Sequence, residues 1–238
     1  MSGHSKWHSI KHKKSITDAK KASAFTKLAK DISVASRDGA DPEMNFRLRM
    51  AIEKAKSANL PKDNIQRAIE KGAGLSKDGA QIEEVVYEAY GPGQIAMLIK
   101  ASTDNKNRTL SEIKNILIKN GGKFVEGGAI SWQFEKLGVI VGTKKENFSE
   151  EEVEMKIIES GAKDYQFEEG EYQIFTQMQE IQKVKETLDE VLEVGQAEPI
   201  FLAKNKIEVD EHTRASYEKL LEVLDEQEDV SEIYDNLE

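Results

Sequence analysis

The chain has 238 residues and a formal net charge of −10 at pH 7. It contains no cysteine, which excludes thiol catalysis, disulfide scaffolds, iron–sulfur clusters and cysteine-ligated zinc. No segment approaches the ~20 apolar residues of a membrane helix. The basic amino terminus has no apolar stretch behind it and no arginine before Arg37, unlike signal or transit peptides. We therefore expect a soluble, cytoplasmic protein that does not bind membranes.

The charge is distributed very unevenly along the chain. Residues 1–74 contain twelve lysines and four arginines against eight acidic residues, so this part carries +8 and the remainder −18. Such segregation predicts that the amino-terminal part binds a polyanion and that the acidic remainder is repelled from it. A solvated, partly disordered tail is the alternative interpretation of the lysine-rich end.

Lysines and flat rings alternate in the first thirty residues, where Asp18 is the one acidic residue. Rings can stack on bases while ammonium groups contact phosphates. The candidate nucleic-acid contacts are His4, Lys6, Trp7, His8, Lys11, His12, Lys13 and Lys14, with Lys20, Lys21 and Lys27 as flanking contacts. His8 and His12 also have metal-ligand spacing, but the surrounding lysines disfavour a cation, so we expect no metal and no cofactor.

Apolar residues recur at spacings of three and four in the first part of the chain and predict three helices. The first covers about residues 17–38. Asp41 and Pro42 are expected to open the second as cap and first residue, and the third follows Pro61 and stops at Gly72. Short connections between these helices indicate a small bundle.

The hydrophobic period changes after a glycine-rich linker at residues 72–79. Alternation predicts a hairpin at 85–90 and 95–101, a helix at 109–120 and a strand near 129–134. A βαββαβ pattern follows, with strands at 139–142, 164–167, 172–176 and 199–203 and helices at 150–160 and 180–193. The chain then adds a strand at 206–209, a helix at 213–226 and a strand near 230–234.

This order of elements predicts an α+β protein, in which an N-terminal three-helix bundle is followed by two ferredoxin-like α/β domains, one inserted into the other. We expect a basic helical domain with a flexible arm at residues 1–75. The outer α/β domain is expected at residues 80–135 plus 205–238, and the inserted domain at 136–204.

Two further groups of residues are candidate nucleic-acid contacts. Arg47 and Arg49 lie in the second predicted helix and could extend the basic surface, or could pair with nearby glutamates as ordinary helix decoration. Asn105, Lys106 and Arg108 lie in a polar cluster that precedes a helix, where they could bind phosphate. Helix capping alone could also account for that cluster.

Sequence signatures of catalysis are missing. Gly72, Gly74 and Gly79 follow a helix instead of a strand, and the P-loop, nucleophile-elbow and zincin patterns do not occur. We therefore expect a protein that is not an enzyme. A ligand sensor or an enzyme built on the ferredoxin-like domains is the alternative from another class, since such domains often hold small molecules.

Several motifs in order resemble the YebC family of bacterial proteins, whose mitochondrial relatives are translational activators. They are GHSKWHSIKHKK, DPEMNFRLRMAIEKAKSANLPKDNIQRAI, YEAYGPG, TDNKNRT and LLEVLDEQEDV, and they span essentially the whole chain. The resemblance implies a helical domain followed by two nested α/β domains. Bacterial members are described as DNA-binding transcriptional regulators, and others as ribosome-associated factors that relieve stalling at proline runs.

Two nucleic-acid partners therefore remain open: promoter DNA and the RNA of the ribosome. The predicted helices contain no convincing recognition helix for reading base edges. A lysine-rich arm with Trp7 suits a structured RNA cavity, where stacking and backbone contact suffice. We expect a monomer, with a weak dimer as the alternative.

Overall fold

The computed structural model of the protein describes residues 18–75 and 81–238. The predicted contacts from His4 to Lys14 lie outside these ranges, and so do the side chains of Lys20 and Lys21. In the described part, none of the helices is both long and apolar enough to cross a membrane.

Helices and strands alternate after an all-helical first part. The helices are α1 (Asp18–Ala35), α2 (Phe46–Ser57), α3 (Lys62–Gly72), α4 (Lys106–Lys119), α5 (Glu150–Glu159), α6 (Ile181–Leu188) and α7 (Glu211–Glu226). The strands are β1 (Glu83–Tyr90), β2 (Ala96–Thr103), β3 (Lys123–Val125), β4 (Phe134–Lys144), β5 (Asp164–Glu168), β6 (Glu171–Thr176), β7 (Leu192–Ala203) and β8 (Val230–Asp235).

The three amino-terminal helices form a bundle around Ile32, Leu48 and Ile65. The predicted start of α2 at Asp41 and Pro42 is wrong, because Asn45 caps the helix and accepts a hydrogen bond from the Leu48 amide at 3.0 Å. The same buried side chain donates to the carbonyls of residues 35 and 39, at 2.8 Å each. Asn45 therefore fixes the turn between the first two helices.

The first sheet is antiparallel, with the strand order β3-β1-β2-β8. Side chains alternate between its two faces along β2. Met97 and Ile99 point towards α4 and α7, whereas Leu98 points to the opposite face and packs against the second sheet. Both faces of this sheet are therefore covered.

The second sheet has the order β5-β6-β4-β7, all antiparallel, which is the ferredoxin-like arrangement for a βαββαβ unit. Helices α5 and α6 cover one of its faces around Ile140 and Ile174. The other face packs on the first sheet through Val139 and Phe175. Because strand β8 of the first sheet follows this unit, the second α/β unit is inserted into the first, as predicted.

Some of the predicted boundaries are wrong. The stretch 131–133 is a short 3₁₀ turn before β4, not part of a strand. Helix α6 ends at Leu188, before the predicted end at residue 193, because the chain enters the long strand β7 at Leu192. Residues 206–209 form no strand, only a bridge between Ile207 and Leu237.

Gly72 allows α1 and α3 to approach closely. A β-carbon at this position would lie 1.9 Å from the Ser33 carbonyl oxygen, which belongs to the backbone and cannot rotate away. We expect Gly72→Ala to lower the free energy of unfolding by about 1–3 kcal/mol through overpacking. Urea unfolding measures the change, with Gly195→Ala as the control, since nothing lies within 4 Å of a β-carbon there. Equal stability of the two variants would contradict this close packing.

Candidate nucleic-acid interface

Two lysines of α1 are bound to the acidic carboxyl-terminal segment. The Lys27 Nζ lies 3.1 Å from the Asp225 carboxylate, and the Lys30 Nζ lies 2.6 Å from that of Asp229. Only 12% and 17% of these two lysine side chains are exposed. Lys27, a predicted flanking contact, therefore already neutralises a carboxylate of the protein itself.

Asp229 is the centre of a buried polar cluster. Besides Lys30, it accepts hydrogen bonds from the Arg108 guanidinium at 2.8 Å and the Thr109 hydroxyl at 2.6 Å. Burial favours the neutral acid, but the hydrogen bonds from Lys30, Thr109 and Arg108 outweigh it and hold the pKa of Asp229 well below its usual range. This one carboxylate joins α1, the start of α4 and the strand β8.

The loop candidates Asn105, Lys106 and Arg108 all make contacts within the protein. Asn105 caps α4 and accepts from the Arg108 amide at 3.1 Å. Lys106 forms an ion pair with Glu83, and Arg108 pairs with Asp104 at 3.1 Å as well as with Asp229. The capping explanation thus accounts for the conformation of this loop.

The arginine candidates of α2 are also engaged. Arg47 pairs with Glu84 of β1 at 2.6 Å, so its partner lies across the domain boundary and not on its own helix. Arg49 donates to the Pro42 carbonyl at 3.0 Å and lies over the Phe46 ring, 5.4 Å from the ring centre. Arg49 therefore binds the segment before α2, and Arg47 joins the bundle to the first sheet.

Two cations that the sequence did not single out are differently placed. Arg67 and Lys71 lie one turn apart on α3, and among the described residues neither has a carboxylate within 4 Å. They border a groove of about 530 Å³ between α1 and α3, which also contains Phe25, Ala29 and Ala68. The i, i+4 spacing of Arg67 and Lys71 on one helix face could have revealed them.

One wall of this groove belongs to α1, the helix that follows the lysine-containing residues 1–17 in the sequence. An apolar groove with cations at its border can contact bases through Phe25 and phosphates through Arg67 and Lys71. We define the candidate nucleic-acid face as residues 1–17, the basic arm, together with this groove.

In residues 18–75 and 81–238, no group of three or more His, Asp or Glu side chains is placed to hold a metal ion.

Asp229→Asn should destabilise the protein. We expect a loss of about 2–3 kcal/mol at pH 7, at the lower end for a broken buried ion pair because Arg108 is half exposed. Since the pKa is depressed on folding, the contribution of Asp229 is present above the unfolded pKa near 3.9 and is lost as the pH falls below it.

Urea unfolding at pH 7 and pH 3 measures this effect. The difference in the free energy of unfolding between wild type and Asp229→Asn should shrink at pH 3. The variant Asp38→Asn, at an exposed position, should be as stable as wild type at both pH values. A difference that stays constant between the two pH values would refute the electrostatic role.

Comparisons with known proteins cover almost the whole chain. The model of the TACO1/YebC protein N-terminal domain matches residues 5–75, and that of the TACO1/YebC second and third domain matches residues 82–237. A protein of Caldanaerobacter subterraneus, named a probable transcriptional regulatory protein, is 46% identical over 100% of this chain and 98% of its own length. A similarly named protein of Thermoanaerobacter pseudethanolicus is also 46% identical and is covered to 97%.

A solved structure has the same fold. The crystal structure of a conserved hypothetical protein from Aquifex aeolicus matches with a TM-score of 0.88 and 43% sequence identity, covering 98% of this chain and 97% of that one. With both family models and full-length relatives in agreement, this chain belongs to the TACO1/YebC family.

Proposed function

We propose that this protein is a non-enzymatic, cytoplasmic regulator of gene expression that binds nucleic acid through its basic helical domain. The observation that carries the proposal is the division of the cations. The cations that lie between the bundle and the α/β domains are paired with carboxylates, namely Lys27, Lys30, Arg47 and Lys54. Arg67 and Lys71 instead border an open groove, one wall of which is the helix that follows the lysine-rich arm in the sequence. The relatives named as transcriptional regulatory proteins support the same function.

The acidic α/β domains orient the protein on its partner. The residues after the bundle carry the excess of negative charge that brings the whole chain to −10. A polyanion attracts the bundle and repels these domains, so binding leaves them facing away from the nucleic acid. We infer that they present a surface to other partners.

The names of the relatives favour DNA, and one structural observation favours RNA. Two side chains of the bundle that could read base edges are used internally: Gln66 donates to Glu70 at 2.8 Å, and Arg47 pairs with Glu84. Direct readout of DNA needs such groups to be available in the major groove. Contact through backbone and stacking suits ribosomal RNA, and a translation factor is therefore our second candidate function.

The lysines of the arm provide the first test. Replacing Lys11, Lys13 and Lys14 together by alanine should weaken nucleic-acid binding several tenfold, because each lysine contributes about one phosphate contact. The salt dependence of the binding constant should fall as well. Fluorescence anisotropy with labelled DNA and RNA across a salt series measures both. Thermal stability should stay nearly unchanged, and a large fall in Tm would instead assign the arm a structural role.

The groove provides a second test. We expect Arg67→Ala with Lys71→Ala to weaken the same binding about tenfold or more, because two phosphate contacts are lost. Lys119→Ala with Lys183→Ala removes two exposed charges from the α/β domains and is the matched control. Equal binding by the two double variants would contradict the proposed face.

Sedimentation of cell lysate through a sucrose gradient separates the two candidate partners. Co-migration of wild type with ribosomal fractions, lost in the triple lysine variant, would favour the translation factor. If both proteins stay at the top of the gradient, promoter DNA becomes the preferred partner.

A further inference from the structure

A cleft of about 290 Å³ lies where the helical bundle meets both sheets. Its walls come from α1 and α2 of the bundle, from β2 and β8 of the first sheet, and from β7 and the start of α6 in the second. All three structural units therefore contribute to one concave site. Sites between domains are common places for small ligands.

The lysines in this cleft already form ion pairs with carboxylates of the protein. Lys54 lies 2.9 Å from the Glu198 carboxylate and 3.8 Å from that of Glu232. Lys100 lies 3.3 Å from Glu232 and 3.4 Å from Glu84. Burial opposes the charge of Lys54 and Lys100, but the neighbouring carboxylates outweigh it and raise the pKa of both above the usual range. Both ammonium groups stay charged.

Asp31 is placed differently. It lines the cleft from α1, and among residues 18–75 and 81–238 it has no cation within 4 Å. Burial raises the pKa of Asp31, although Lys54 and Lys100 attract the carboxylate from further away. Arg47 pairs with Glu84 and is the third cation of the site, beside Lys54 and Lys100. Four carboxylates face these three cations, so the carboxylate of Asp31 is left without a close partner among the described residues.

The remaining walls are largely apolar, with Gln179, Gln182 and Gln196 also lining the cleft. Leu28 and Phe46 line the bundle side, Met50 lies beside them on α2, and Ile181 closes the side of the second sheet. A ligand that fits must therefore combine one positive charge with a short hydrocarbon part. An anion would meet Glu198 and Glu232, whose lysine partners are already occupied.

We propose that this cleft binds a small organic cation, a primary ammonium or guanidinium on a short apolar chain, with its charged group at Asp31 and its chain against Phe46 and Met50. A carboxylate and an ammonium group that form a hydrogen bond in a partly buried site make one of the stronger polar contacts in proteins. Because the walls come from three units, such a ligand also fixes the bundle relative to the two sheets. This binding is independent of the proposed contact with nucleic acid.

Thermal unfolding of the full-length protein tests the site, with n-butylammonium and n-butylguanidinium as probes and n-butanol as the neutral control at matched ionic strength. We expect each cation to raise Tm saturably, by about 3–5 °C at ten times its Kd. n-Butanol should give no saturable shift.

Asp31→Asn keeps the shape of the side chain and removes its charge. The variant should bind n-butylammonium at least about tenfold more weakly than wild type. Without ligand, its thermal stability should equal or exceed that of wild type, because the substitution removes a poorly compensated charge. Asp38→Asn, an exposed position just beyond α1, should bind like wild type.

Two results would overturn the proposal. One is that neither cation gives a saturable shift in wild type. The other is that Asp31→Asn binds the cations as tightly as wild type, which ligand-detected NMR can check even if the variant melts at a lower temperature.

Discussion

The arrangement of the bundle on the α/β domains depends on the buried carboxylate of Asp229. It receives an ammonium group from α1, a guanidinium and a hydroxyl from the start of α4, and it stands at the entrance to β8. A carboxylate with 2% of its side chain exposed is tolerated only when donors of this kind surround it. The helix that follows the basic arm in the sequence is thereby held against the first sheet.

The same face of the first sheet serves two kinds of contact. Along β2 and β8, Leu98 and Tyr234 pack on the second sheet, while Lys100 and Glu232, two residues further along each strand, meet the bundle in a charged cluster. The apolar contact provides burial, and the charged contact requires a defined geometry. An apolar interface and an ion-pair network thus define the positions of the three units together.

The sequence pattern predicted helices and strands well where residues close in the sequence determine their ends. The capping box of Ser149 and Glu152 opens α5 at the expected place, and β5 and β6 follow their alternation closely. The start of α2 could not be predicted, because the bonds of Asn45 to the end of α1 arise from tertiary structure. In the candidate site, the sequence indicated the basic end but not which cations are paired, since Lys27 and Asp225 are 198 residues apart.

The position of β8 at the end of the chain determines the order of assembly. Strand β2 finds its outer neighbour only after about 130 further residues have been made, as the Lys100 and Glu232 pairing illustrates. The inserted unit can fold meanwhile, since its first and last strands pair with each other from Phe134 and Ala203 onwards. During synthesis, Lys27 and Lys30 of α1 can therefore pair with Asp225 and Asp229 only after nearly the whole chain has been made.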